Sequence, residues 1–168
     1  MSKRLSSGLG WVVAQVVLWV VQLSLPFVWS FVGFPILAWG EAWTGCELAA
    51  AMALGGGGLA LGWAAFQALG ANLTPLPKPK EGSVLVVRGP YRVLRHPIYT
   101  AVVLVFLGWA VGWKEVVLVG LDGVLFLLFV FKSRLEERWL RERYPEYSRY
   151  EKTTGGLVPR LFGRTGGV

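Results

Sequence analysis

Residues 88–100 read RGPYRVLRHPIYT. Three arginines, two tyrosines, two prolines and the chain's only histidine fall within thirteen positions of a sequence that is 54% hydrophobic. Guanidinium, imidazole and phenol groups at such spacing can bind anions, move protons and orient a polar ligand. A second polar segment, SRLEERWLRERYPEYSRY at 133–150, adds the adjacent carboxylates Glu136 and Glu137 and three tyrosines. With one histidine, His96, and one cysteine, Cys46, no multi-ligand metal site of soft donors can be assembled. A lone cysteine also forms no intramolecular disulfide.

These groups need elements to position them. The chain has 168 residues, enough for one domain. Its mean hydropathy is +0.52 and only 16% of its residues are charged, against about 25% in soluble proteins. Such a composition predicts an all-α polytopic membrane protein. Spans of about 20 apolar residues are expected over Leu9–Ser30, Cys46–Ala71, Pro97–Trp113 and Glu115–Phe131. Lys3 and Arg4 precede the first of these, but no small-x-small cleavage pattern follows it, so it reads as a retained span. One membrane domain results: 1–71 with two spans, 72–96 as a polar loop, 97–131 as a tight hairpin, and 132–168 as a tail.

Sixteen of the seventeen lysines and arginines fall on one side of this arrangement, and Lys114 alone on the other. The positive-inside rule places the basic side, with both termini, in the cytoplasm. Trp29, Trp39, Trp43, Trp109 and Trp113 gather at the opposite boundary as an aromatic belt. The net charge of +7 is thereby explained by topology and attraction to anionic membrane lipids, not by nucleic acid.

Pro97 suits the first turn of a helix. Its helix would offer free N–H groups and a partial positive charge to an anion. The hairpin climbs and descends by similar lengths, so the chain should return to the depth of His96 near 133–137. A mouth with both signs of charge, aromatic walls and a lipid flank suits a zwitterionic or cationic cofactor and a lipid substrate. Simpler roles stand beside this one. Arg92 and Arg95 could anchor at headgroups, His96 could cap the helix, and Tyr91 and Tyr99 could be interfacial anchors. Glu137 with Arg141, and Arg138 with Glu142, could be solvated i,i+4 pairs. Elsewhere, Gly58 and Gly62 are spaced for close helix packing. Asp122, inside the fourth span, could be structural or functional; a structural hydrogen bond is expected over catalysis, and Gln22 at similar depth could be its partner. Residues 83–87, SVLVV, have the propensity for a short strand.

The two polar segments together resemble the integral membrane methyltransferases related to isoprenylcysteine carboxyl methyltransferase and the phospholipid methyltransferases. The resemblance rests on GPYRVLRHPIYTA (89–101), EERWL (136–140), YPEYSRY (144–150) and LVPRLF (157–162), with a hairpin between the first two blocks. It covers roughly 69–162. Ala101 replaces a usual glycine, and EKTTGG makes a long spacer before Val158-Pro159.

The resemblance implies S-adenosylmethionine as methyl donor at the cytoplasmic face, and a lipophilic or lipid acceptor. It implies that Tyr91, His96, Pro97 and Tyr99 take the cofactor's polar end, and that Glu136 or Glu137 accepts from its ammonium or ribose. Tyr147, Tyr150, Leu157 and Pro159 would close over the adenine. If the nucleophile is a carboxylate, Arg95 or Arg138 would orient it. An amine or phenol would need Glu137 or His96 as proton acceptor. Two other functions stay open: a membrane reductase using NADPH, and a non-enzymatic membrane scaffold.

Overall fold

A computed structural model describes residues 2–33, 45–72, 82 and 84–160. Its uncharged runs of Val, Leu, Ala and Trp form long helices: α1 (Ser2–Val32), α2 (Gly45–Leu69), α3 (Pro97–Trp113) and α4 (Val116–Arg143). A short α5 (Tyr147–Thr153) and two 3₁₀ turns, Gly70–Asn72 and Gly89–Arg92, complete the described helices. Among the described residues three helices, Leu9–Val32 within α1, α2 and α4, are long and apolar enough to cross a membrane. The fourth apolar helix, α3, has 17 residues. That gives it a length of about 25 Å, slightly under the hydrocarbon thickness. Large apolar side chains such as Val17, Phe27, Met52, Leu59 and Trp63 face outward. An apolar solvent makes that outward face favourable.

The hairpin expected from the sequence is present. α3 stops at Lys114, whose φ of 60° is left-handed, and Lys114 Nζ pairs with Glu47 of α2 at 3.1 Å. Two differences from expectation follow. α4 does not end near Phe131 but continues for three more turns to Arg143, carrying Glu136 and Glu137 on the same rigid helix. Leu, Glu and Arg are strong helix formers, so nothing in SRLEERWLRER interrupts the run. Nor is there a strand over Val84–Val87, the described part of the expected one. The Val84 amide is bonded to the Asn72 side chain at 3.2 Å, and among the described residues no neighbouring strand supplies a ladder.

α2 and α3 form the most extensive helix pair. Glycines make it possible. A Cβ at Gly58 would lie 2.8 Å from the Ala101 carbonyl oxygen, and one at Gly108 would lie 2.6 Å from the Gly55 amide. The glycine pattern therefore serves packing. α1 packs on α4 and is also tied to α3. Pro26 lacks the N–H that would bond the Gln22 carbonyl one turn back. Trp109 of α3 supplies the missing donor, its Nε1 lying 3.0 Å from Gln22 O. In lipid such a freed carbonyl has no water to turn to, so this bond fixes where α1 meets α3.

The expected hydrogen bond between Gln22 and Asp122 is not made. Both side chains are buried, yet both Gln22 amide atoms and Asp122 Oδ1 are without a partner among the described residues. Of the tryptophan belt, Trp29, Trp109 and Trp113 are described, and Phe27 packs against the last two. Trp39 and Trp43 lie outside the described residues.

Candidate functional site

The Gly89–Arg92 turn leads into His96, which is the residue before α3, with Pro97 at its first position. Proline there loses no needed donor and starts the helix with its φ already set. His96 makes no capping bond with its side chain. Instead its Nε2 lies 3.0 Å from Glu137 Oε1, and its Nδ1 lies 3.8 Å from Glu136 Oε2. The return of α4 to the depth of His96, expected from helix lengths, is thus realised.

Glu137 is buried and also accepts from Arg95 Nε at 2.9 Å. Arg95 in turn donates to the backbone carbonyls of Glu151, at 3.1 Å, and of Thr154. Its guanidinium thereby ties α4, α5 and the tail into one unit. The tail is stitched in by its backbone as well. The Arg95 amide donates to Gly155 O at 2.7 Å, and the Gly155 amide to Val93 O at 3.2 Å. Gly155 has to be glycine, because a Cβ there would lie 2.2 Å from the Val158 carbonyl oxygen. Thr100 Oγ1 then bonds Leu157 O at 2.6 Å.

Tyr99 donates to Glu136 at 2.8 Å. Its ring is stacked between His96, at 5.4 Å between centroids, and Phe129, at 4.6 Å. Tyr150 donates to the Tyr91 carbonyl. Burial pushes the phenols of Tyr91 and Tyr147 well above the ordinary tyrosine range, and that of Tyr150 up to about 12. All three are therefore neutral hydroxyls at physiological pH. On the outer side of the cluster, Arg141 binds Glu151 in bidentate fashion at 2.6 and 2.8 Å.

These residues surround a cavity of roughly 330 Å³, a size at the lower end for small-molecule sites. Of the residues singled out in the sequence, Tyr91, Arg95, His96, Tyr99, Glu136, Tyr147 and Tyr150 line it. Pro97 is buried at the helix start, and Glu137 stands behind Arg95 and His96. Leu157 packs into the apolar core with Phe106, Leu125 and Phe129, while Pro159 and Arg138 are exposed and outside the lining. The pairing of Arg141 with Glu151 was not among the sequence expectations, which had joined Arg141 to Glu137. Glu137 remains 3.7 Å away as a weaker neighbour.

Sequence reasoning also missed the apolar and α1 side of the cavity: Val12, Gln15, Leu69, Leu85, Ile98 and Lys132. Lys132 had been read only as a topological charge, and its contact with Gln15 spans 117 positions.

Does this cavity fit S-adenosylmethionine? Tyr147 Oη is buried at the cavity wall and bonds nothing among the described residues, so it has a hydrogen bond to give. Stacked rings, neutral hydroxyls, an imidazole and a carboxylate make a set of groups suited to an adenine, a ribose and an amino-acid end. The residues fit the group.

The described residues form a helical chain with three membrane-length helices and a charged, aromatic cavity built from a helix start and a paired-carboxylate helix. The family follows from comparison. The family model for phospholipid methyltransferases matches residues 46–147, and the chain belongs to that family. Among curated proteins it is similar to the cobalt-zinc-cadmium resistance protein CzcN of Cupriavidus metallidurans, at 30% identity over 83 residues, or 49% of this chain and 38% of that protein. It is also similar to the nickel-cobalt-cadmium resistance protein NccN of Alcaligenes xylosoxydans xylosoxydans, at 28% identity over 83 residues, or 49% of this chain and 39% of that protein. The matched segment therefore spans less than two-fifths of the length of either relative.

Proposed function

We propose that the chain is a membrane methyltransferase that uses S-adenosylmethionine and methylates a lipophilic acceptor at the cytoplasmic membrane face. The observation that carries this reading is the cavity wall. His96, Tyr99, Glu136 and Tyr147 meet there from α3, α4 and α5, and the Tyr147 hydroxyl has no partner among the described residues. Membership of the phospholipid methyltransferase family supports the same reading.

In this proposal Tyr91, Tyr147 and Tyr150 enclose the cofactor, while His96, Tyr99 and Glu136 bind its polar groups. The cofactor supplies an electrophilic methyl group on a sulfonium. Arg95 and Glu137 are positioning residues. Glu137 orients His96, and Arg95 locks the tail against the start of α3, which excludes water from the cavity. Alignment and water exclusion carry most of the acceleration of such a displacement. The basic side of the molecule, including this mouth, faces the cytoplasm.

The relatives' names attach those proteins to metal resistance. Here that phenotype is at most a setting for the chemistry, and the reading rests on the cavity. The test is transfer of radiolabelled methyl from S-adenosylmethionine into the organic extract of membranes containing the protein. Label is expected with the native chain and is expected to be absent with Tyr147→Phe combined with His96→Ala. Equal label with both chains would contradict the proposal.

A further inference from the structure

Lys132 is a buried cation at the membrane side of the cavity, only 3% exposed. Its ammonium donates to Gln15 Oε1 of α1 at 2.7 Å and stands 5.1 Å from the centre of the Tyr99 ring. An ammonium has three donors. Among the described residues its hydrogen bond goes to a neutral amide. The charge of Glu136 reaches Lys132, but no ion pair forms between them, and Glu136 accepts from Tyr99 instead. A buried cation without a bonded counterion is expensive, and more so beside lipid. Arg95, the other guanidinium or ammonium cation in the wall, is committed to Glu137 and to two backbone carbonyls. Arg138 is exposed. The two arginines that the sequence offered for orienting an anionic acceptor are therefore both accounted for elsewhere, and Lys132 is the cation left facing the cavity.

We infer that Lys132, held by Gln15, is the acceptor-selecting residue, and that it favours a carboxylate on a long apolar body over an amine. This inference rests on the methyltransferase reading above. Val12, Ile98 and Leu69 give the apolar tail its walls, and α1 brings Gln15 to its head. Charge decides between the two acceptor classes. A carboxylate pairs with Lys132 and arrives ionised, so no proton acceptor is required. Its oxygen lone pair forms the new O–CH3 bond as the S–CH3 bond breaks, the electron pair of that bond stays on sulfur, and no proton moves. The ester product is neutral, loses its attraction to Lys132 and can return to lipid. An amine acceptor would have to shed a proton first and would then develop positive charge beside a buried ammonium, where like charges repel.

The test uses the full chain in phospholipid nanodiscs, with empty discs as baseline. Binding of radiolabelled hexadecanoate is measured with and without S-adenosylhomocysteine, and unlabelled hexadecanoate or hexadecylamine competes. The expected result is displacement by hexadecanoate at far lower concentration than by hexadecylamine. Lys132→Met should weaken hexadecanoate binding by about tenfold to a hundredfold, the loss of one charged hydrogen-bonded pair, and Lys132→Arg should retain most of it. Calorimetric affinity for S-adenosylhomocysteine should stay within about twofold in both variants. Equal displacement by the amine would overturn the inference. So would a Lys132→Met chain that loses S-adenosylhomocysteine instead, since Lys132 would then serve the cofactor, or one that binds both as before. Native protein that binds hexadecanoate through Lys132 but never binds S-adenosylhomocysteine would overturn the methyltransferase reading, and the acceptor role with it, leaving only a carboxylate-binding site at Lys132.

Discussion

Two buried polar groups among the described residues are built differently. At the mouth, Arg95, His96, Tyr99, Glu136 and Glu137 are joined by hydrogen bonds of 2.8 to 3.0 Å. In the apolar layer, Trp19 Nε1, both Gln22 amide atoms and Asp122 Oδ1 are buried without partners among the described residues. The residue types are similar, so chemistry alone does not make the difference. What differs is the supply of partners. At the mouth, helix ends and the tail contribute free carbonyls and opposite charges. In mid-span each helix uses up its own backbone groups, and a polar side chain finds nothing to bond unless another helix happens to offer it. The first centre is organised for binding, whereas the second is a local cost to stability.

Substitutions can break or sharpen that contrast. The largest effect is expected from Glu137→Ala. It strands Arg95 and His96 in a buried site, with an expected destabilisation of about 3–5 kcal/mol, read as a lower thermal midpoint in detergent. Glu137→Gln should be milder because it keeps one acceptor for Arg95. If the two variants melted alike, the retained acceptor would contribute nothing and the charge of Glu137 alone would hold the cluster.

Asp122→Leu should act in the opposite direction. Removing an unpaired buried carboxylate oxygen should leave stability unchanged or raise it by about 1–3 kcal/mol, with methyl transfer retained. Loss of methyl transfer in a folded Asp122→Leu chain would place Asp122 in the chemistry and dissolve the contrast.

The smallest effect concerns the rim. The Arg141 guanidinium holds the Glu151 carboxyl below its usual range. A depressed folded value means that the stabilisation is complete above the ordinary carboxyl value of about 4.3 and is lost as pH falls through the lower folded value. Arg141 is exposed, so solvent screening limits the pair to about a few tenths of a kcal/mol. Arg141→Ala should therefore lower the melting midpoint slightly at pH 7 and hardly at all near pH 3. An equal drop at both values would mean that packing, not charge, is what Arg141 contributes.

Much of this is legible in the amino-acid sequence. Apolar run lengths gave the helices, and the matched lengths of the hairpin brought Glu136 and Glu137 to His96. What escaped was non-local. The bond from Lys132 to Gln15 joins residues whose spacing carries no pattern. The bond from Trp109 to Gln22 depends on a carbonyl that Pro26 leaves free, which only a packed neighbour can answer. Residues 84–87 have strand propensity, yet propensity needs a ladder and the fold offers none. Leu157 sits in a tail whose path depends on Gly155 tolerating contacts that a Cβ would forbid. Its place in the apolar core therefore could not be read from its position beside Val158-Pro159.

The central claim is that the paired centre at the mouth binds a methyl-donor cofactor. Isothermal titration of S-adenosylhomocysteine into the detergent-purified chain tests it most directly, with NADPH as control and Glu137→Ala as the disrupted site. The account predicts saturable binding of S-adenosylhomocysteine by the native chain, its loss in Glu137→Ala, and no heat from NADPH. A folded native chain that binds NADPH, or neither compound, would contradict it.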